Sequence, residues 1–283
     1  MDVIQISFVR DDGELRNLTF PINIEKIDLK EHDIVAIDLS GLRNAENLRQ
    51  LDISRNKIEY LELASLKDST TLENLNLSHN KLHDIKLNQL GTNSAFRRLS
   101  VSYNPLKQID LTPLESLKQL TALRMTKLDL NEVNLSSIQS CQELEELSLA
   151  FNNLESINLY PLNTCSKLSI LSLNKNCLHE INLEPLSNCR NLRTLNLGMN
   201  HLGFIDLSPL STCMNLYSLT LRDNELETID VTPIGKIPAL RGLDIRNNRL
   251  QSIDFRPLQY YHLFEMLDYT GNPLENIALP SIE

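Results

Sequence analysis

The sequence predicts an α/β solenoid of eleven 24-residue units behind an N-terminal β-hairpin. Each unit supplies one strand to a parallel sheet on the concave side and one short helical turn to the convex side. Three observations carry this. Units starting at residues 24, 48, 72, 96, 120, 144, 168, 192, 216, 240 and 264 align without insertion or deletion. Their first residues run Ile24, Leu48, Leu72, Phe96, Leu120 and on to Phe264, and their fourth run Ile27, Leu51, Leu75 and on to Leu267. Nine of the ninth residues are Asn, the departures being His32 and Leu128. The third observation is compositional. The chain of 283 residues is 41% hydrophobic yet only 5% aromatic and lacks Trp, which suits a thin Leu/Ile core stacked along an axis.

Residues 1–23 are expected to form the cap. Ile4, Ile6 and Phe8 alternate with polar residues, Asp12-Gly13 is a hairpin turn signal, and Leu18 and Phe20 continue on the returning strand. A solenoid exposes its core at both ends, so a hairpin laid over the first unit protects one of them. Residues 24–283 are the array. Alternation along each strand turns the fourth and sixth residues to the core and the third, fifth and seventh to the concave face. The ninth-position Asn then follows from the turn inward, which strands backbone groups without ladder partners. An amide carries both donors and an acceptor to satisfy them.

Thr112-Pro113, Ser208-Pro209 and Thr232-Pro233 predict helix N-caps with Pro at the first helical position. So few residues remain before the next strand that single turns, α or 3₁₀, are expected. The eleventh unit stops at Pro280-Ser281-Ile282-Glu283 with no comparable cap. Its last turn suffices, the chain continues, or the open end meets a partner.

The consensus LxxLxLxxNxL, repeated in register over about nine tenths of the chain, resembles the leucine-rich repeat family. The resemblance implies a right-handed horseshoe that grips a protein partner on its concave face.

Chemistry is sparse. Eight Gly form neither GxGxxG nor GxxxxGK[ST], and GxSxG is absent. His79 and His83 flank a turn, where helical spacing carries no meaning. Cys141, Cys165, Cys189 and Cys213 recur every 24 residues without CxxC zinc spacing. They are expected to fill tight buried slots as free thiols, a role in which Ala45 and Ser69 stand in earlier units. Asp28 with Asp52, and Asp244 with Asp268, should sit on neighbouring strands, each pair on a solvated, charge-balanced face. No catalytic constellation emerges, so a non-enzyme without cofactor or metal is expected. The net charge of −10 disfavours nucleic acid. No apolar run is long enough for a membrane span. An odd five Cys and the absence of a signal-peptide pattern point to a cytoplasmic, reducing setting. The sequons at Asn17, Asn76 and Asn134 read as chance in an Asn-rich chain.

The surface is more informative. Concave and rim positions carry twelve basic and ten acidic residues, so the acidity lies elsewhere. Much of it forms a convex ladder, Asp38, Glu62, Asp110, Asp206, Asp230 and Asp254, read as a solubility device. Units three to eight are net +3 at the concave positions, and their eighth residues run His79, Tyr103, Lys127, Phe151, Lys175, Met199. With Arg124 in the irregular fifth unit, they form a candidate ridge for a protein partner bearing an acidic patch. In the alternative, Lys127 merely stacks between Tyr103 and Phe151. The functional expectation is a protein-interaction scaffold. The other reading is the recognition part of a larger ligase, kinase or receptor.

Overall fold

The computed structural model describes residues 3–280. The first two residues of the predicted cap and the Ser281-Ile282-Glu283 end lie outside them. The chain divides into two compact units, Met1–Leu144 and Glu145–Glu283, the boundary falling one residue from a repeat boundary.

In the first unit, β1 (Val3–Arg10) and β2 (Leu15–Pro21) form an antiparallel hairpin. Gly13 takes the positive φ of 85° that its turn requires, and Asp12 Oδ1 accepts from the Glu14 N–H at 2.9 Å. Ile4, Ile6 and Phe8 are buried. The hairpin also recruits the first repeat: β1 pairs antiparallel with β4 (Ile34–Asp38). The approach is close. A Cβ on Gly41 would collide with the Gln5 carbonyl, so that contact needs glycine. Lys57 ties the second repeat to the hairpin turn through Asp11 and to Asp33.

Five parallel strands follow at the repeat period: β3 (Lys26–Asp28), β5 (Gln50–Asp52), β6 (Asn74–Asn76), β7 (Arg98–Ser100) and β8 (Ala122–Arg124). Equivalent residues face each other, as Lys26, Gln50, Asn74, Arg98 and Ala122 do. In the second unit the parallel strands are β9 (Glu146–Ser148), β10 (Ile170–Ser172), β11 (Thr194–Asn196), β12 (Ser218–Thr220), β13 (Gly242–Asp244) and β15 (Met266–Asp268). A separate convex pair joins β14 (Ser252–Asp254) to β16 (Asn276–Ala278).

Each unit keeps a thin core of Leu and Ile, with Phe96 and Phe255 as the largest fully buried side chains. The helical segments are 3₁₀ helices of three to five residues; no α-helix occurs among the described residues, and no helix is long and apolar enough to cross a membrane.

The Asn ladder works in both directions. Asn176 Nδ2 donates to the carbonyls of Leu149 and Leu173, each at 3.0 Å, and its Oδ1 accepts from Leu154 N–H at 3.1 Å. Asn80, Asn104, Asn200, Asn224 and Asn248 repeat the pattern. In the two repeats without this Asn, the next residue is an Asp in left-handed backbone, Asp33 (φ 56°) and Asp129 (φ 61°). Leu128 is fully buried. The turn there has a different conformation, not merely a different side chain.

Two expectations need correction. The hydroxyls of Thr112, Ser208 and Thr232 are not the caps. Each begins a 3₁₀ helix, and its N–H donates to the Asp two residues earlier: Asp110 at 2.9 Å, Asp206 at 2.8 Å and Asp230 at 2.8 Å. Asn134, Asn158 and Asn182 serve the same N–H in their repeats. Asp38, Asp110, Asp206 and Asp230 of the convex acidic ladder are therefore a capping column, because a short side-chain oxygen reaches the N–H two residues on. The Cys slot is also not reserved for small residues, since Leu117 and Ile237 occupy it fully buried. What the thiol adds is a weak donor: Cys189 Sγ lies 3.6 Å from the Leu162 carbonyl and Cys213 Sγ 3.5 Å from that of Leu186. All five Cys are free.

Candidate functional site

The eighth position of every repeat has left-handed backbone. In the first unit φ is 56° at His79, 58° at Tyr103 and 55° at Lys127; in the second it is 58° at Phe151, 56° at Lys175 and 58° at Met199. For residues other than Gly and Asn this conformation costs about 1 kcal/mol or more. The ladder enforces it. In both units eighth-position N–H groups donate to the seventh carbonyl of the next repeat, as Tyr103 does to Thr126 at 2.7 Å and Lys175 to Gly198 at 2.9 Å. The ninth residue, by contrast, turns its amide inward. The eighth side chain is left on a rigid, outward-facing support.

In the first unit this brings His79, Tyr103 and Lys127 together. The His79 and Tyr103 rings stack with centroids 4.1 Å apart and planes 9° apart, and Lys127 Nζ lies 5.8 Å from the Tyr103 centroid. Tyr103 remains 39% exposed. Burial, then the charges of Arg55 and Lys127, hold the His79 imidazole below its ordinary pKa, which favours the neutral, stackable ring. Arg124 is exposed at the end of β8.

The second unit repeats the motif. Phe151 is 38% exposed and Lys175 Nζ sits 4.8 Å from its centroid. Met199 is half-buried and turns to Arg222, whose Nη2 lies 3.8 Å from Sδ. The lysines thus do serve as cation–π partners, within the range where such contacts count, while leaving the outer surface of each ring open.

Other polar groups fall differently from expectation. Asp244 is not on a solvated face. It is 3% exposed and bracketed by Arg246 at 3.5 Å and Arg222 at 3.9 Å, and burial raises its pKa. Asp28 and Asp52 sit opposite each other on β3 and β5, Asp28 within 4.0 Å of Lys30. A rim ladder that sequence reasoning passed over runs through the second unit. His179 and His201 stack at 5.2 Å, His201 meets Glu225 at 3.0 Å, and Glu225 meets Arg249 at 2.9 Å. Its signal was the 24-residue spacing of His201, Glu225 and Arg249. Among the described residues no group of three His, Cys, Asp or Glu is placed to hold a metal ion.

The family described as leucine rich repeat matches residues 22–82, 142–202 and 214–274. A leucine-rich repeat protein of Leptospira interrogans superposes with a TM-score of 0.72 at 21% identity, over 85% of this chain and 62% of that one. An internalin of Listeria monocytogenes superposes with a TM-score of 0.64 at 22% identity, over 91% of this chain and 81% of that one. The ectodomain of an Arabidopsis thaliana membrane receptor kinase, in complex with Casparian strip integrity factor 2, gives 0.60 at 22% identity, over 83% and 31% respectively. The chain thus spans less than two thirds of the Leptospira protein and about a third of the plant ectodomain. No sequence relative is found among curated proteins.

Proposed function

Since the chain belongs to the leucine-rich repeat family, we propose that it is a non-catalytic scaffold that binds a protein partner bearing an acidic patch, through the eighth-position residues of repeats three to five in the first unit and six to eight in the second. One observation carries this reading. Each unit presents a part-exposed ring beneath a lysine ammonium, Tyr103 with Lys127 and Phe151 with Lys175, in strained backbone that the Asn ladder supports. Rigid aromatic anchors beside cationic side chains are the composition of interface hot spots. Tyr103 and Phe151 are the anchors; Lys127, Lys175 and Arg124 steer. Ligand binding by the Arabidopsis ectodomain of the same fold supports the class of function. It also supports a second reading, that this array is the recognition part of a larger multidomain protein. Five free thiols favour a reducing compartment.

The test uses Tyr103→Asn and Phe151→Asn, because Asn tolerates left-handed backbone and removes only the ring. With a partner captured from native lysate by the parent protein, each should weaken affinity by about 2 kcal/mol or more. Lys127→Glu and Lys175→Glu should chiefly slow association and flatten its salt dependence. Asp206→Asn, which keeps the capping acceptor, should leave binding unchanged. If the ring variants bind like the parent while Asp206→Asn weakens binding, the ridge is not the site.

A further inference from the structure

We infer a second docking site, for an acidic segment of a partner protein, on the two adjacent turns that carry Arg190 with Arg193 and Met214 with Tyr217 into β11 and β12. The two turns are consecutive copies of one design, Cys189-Arg190-Asn191-Leu192-Arg193 and Cys213-Met214-Asn215-Leu216-Tyr217. In each the Cys and Leu are fully buried, and the three remaining residues are exposed. The backbone beneath is tied turn to turn. Asn215 Nδ2 donates to the Arg190 carbonyl and Asn191 Nδ2 to that of Ser166, both at 3.0 Å, and Tyr217 N–H donates to the Arg193 carbonyl at 2.8 Å. Cys213 Sγ anchors the second turn to the Leu186 carbonyl. The Cys column thus acts as the floor of this surface.

Exposed apolar and cationic side chains stand together on that floor. Met214 is 50% exposed and Tyr217 44%, with Ile170 at 38% on the neighbouring strand. The Tyr217 hydroxyl donates to Glu265 at 2.6 Å, which fixes the ring against its support. Arg190 and Arg193 are exposed, and among the described residues neither guanidinium has a hydrogen bond or ion pair. By contrast Arg49, Arg222, Arg246, Arg249 and Arg256 all meet carboxylates. The next copy of the turn does not extend the pattern, since Arg241 spends its guanidinium on the Pro238 and Leu240 carbonyls.

Charge complementarity decides the occupant. Two unpaired guanidiniums on a chain of net charge −10 call for carboxylates, which their fork can hold bidentately. The exposed thioether and ring beside them call for an apolar side chain on the same segment, and Tyr, Met and Arg together are the interface-enriched residues. A nucleic acid is disfavoured, because two arginines on an acidic chain neutralise too few phosphates. The surface lies at the strand ends opposite those bearing Phe151 and Lys175, so the two sites fail independently.

The experiment pans a random dodecapeptide library on the parent protein and counter-selects on the Arg190→Glu/Arg193→Glu variant. Enriched peptides should place Asp or Glu beside Leu, Phe or Tyr. They should bind about tenfold or more weaker to the counter-selection variant and to Tyr217→Ser, and unchanged to Phe151→Asn. Arg190→Lys/Arg193→Lys, which keeps charge and fold, should fall between. The inference is overturned if no acidic enrichment emerges, if affinity survives the Arg→Glu changes, or if oligothymidine displaces the peptides at physiological salt.

Discussion

Replacing Asn176 by Ala tests the ladder on which the ridge stands. The amide makes three hydrogen bonds to buried backbone, but their loss is unequal. The Leu149 carbonyl also accepts from Asn152 at 2.9 Å, and the Leu173 carbonyl also accepts from Asn200 at 3.1 Å. Each therefore keeps one donor in the variant. Leu154 N–H has Asn176 Oδ1 as its acceptor and is orphaned in a fully buried position. An orphaned buried N–H costs about 1–3 kcal/mol, and losing one of two donors at each carbonyl adds a smaller share, for a total of about 2–4 kcal/mol. Asn272→Ala should cost less, because this residue is only part-buried and water can replace its side chain. Urea melts followed by far-UV circular dichroism measure both. A loss below about 0.5 kcal/mol for Asn176→Ala, within the range of ordinary surface changes, would refute the reasoning, as would an equal loss at Asn272.

Three further outcomes are expected. Leu128→Asn should destabilise rather than restore the repeat, by about 1–3 kcal/mol, because left-handed Asp129 alters the turn and the buried slot is apolar; a neutral urea melt would show that the turn readily takes the common form. Asp206 is held below its ordinary 3.8 by its bonds to the Ser208 side chain and N–H, as Asp110 is by Thr112, and Asp254 lies at about 2 beside Arg256. Folded carboxyls below their unfolded values add stability that is full above pH 3.8 and is lost as pH falls through the folded pKa. Asp206→Asn should therefore flatten the acid limb of stability, while Asp206→Ala lowers the melt across all pH, and indistinguishable variants would remove the capping role. Burial pushes the Cys165 thiol to about 11 and Cys189 to about 12, so a maleimide at neutral pH should label half-buried Cys177 while the buried four react only after unfolding.

Much of the fold was legible because the repeat is a one-dimensional code. A 24-residue period with apolar fourth and sixth residues defines strand, core face and register without long-range information. Ile4, Ile6 and Phe8 marked one face of the hairpin by alternation. The ridge residues were legible as a column, since any property that recurs at one position must line up in a stacked array. Their backbone was not. The signal was faint: the same column ends in Asp223, Asn247 and Gly271, residue types that tolerate left-handed φ. Tyr103 and Phe151 hid it, because a bulky residue in that conformation argues against it until the ladder is seen to impose it.

The sequence by itself determined the repeat count, the strand faces, the Asn ladder and the absence of the familiar phosphate-binding and nucleophile motifs. All of these depend on local pattern and on copies stacking in step. Only the tertiary structure decided which polar groups pair. Asp110, Asp206 and Asp230 cap 3₁₀ turns instead of merely dissolving the surface, Asp244 is buried between two arginines instead of solvated, and among the described residues Arg190 and Arg193 are left without partners where Arg222 and Arg246 are engaged. The physical reason is range. Apolar burial follows periodicity, which a sequence displays, whereas a hydrogen bond or ion pair is made or missed within an ångström, and that distance is set by how neighbouring turns settle against one another.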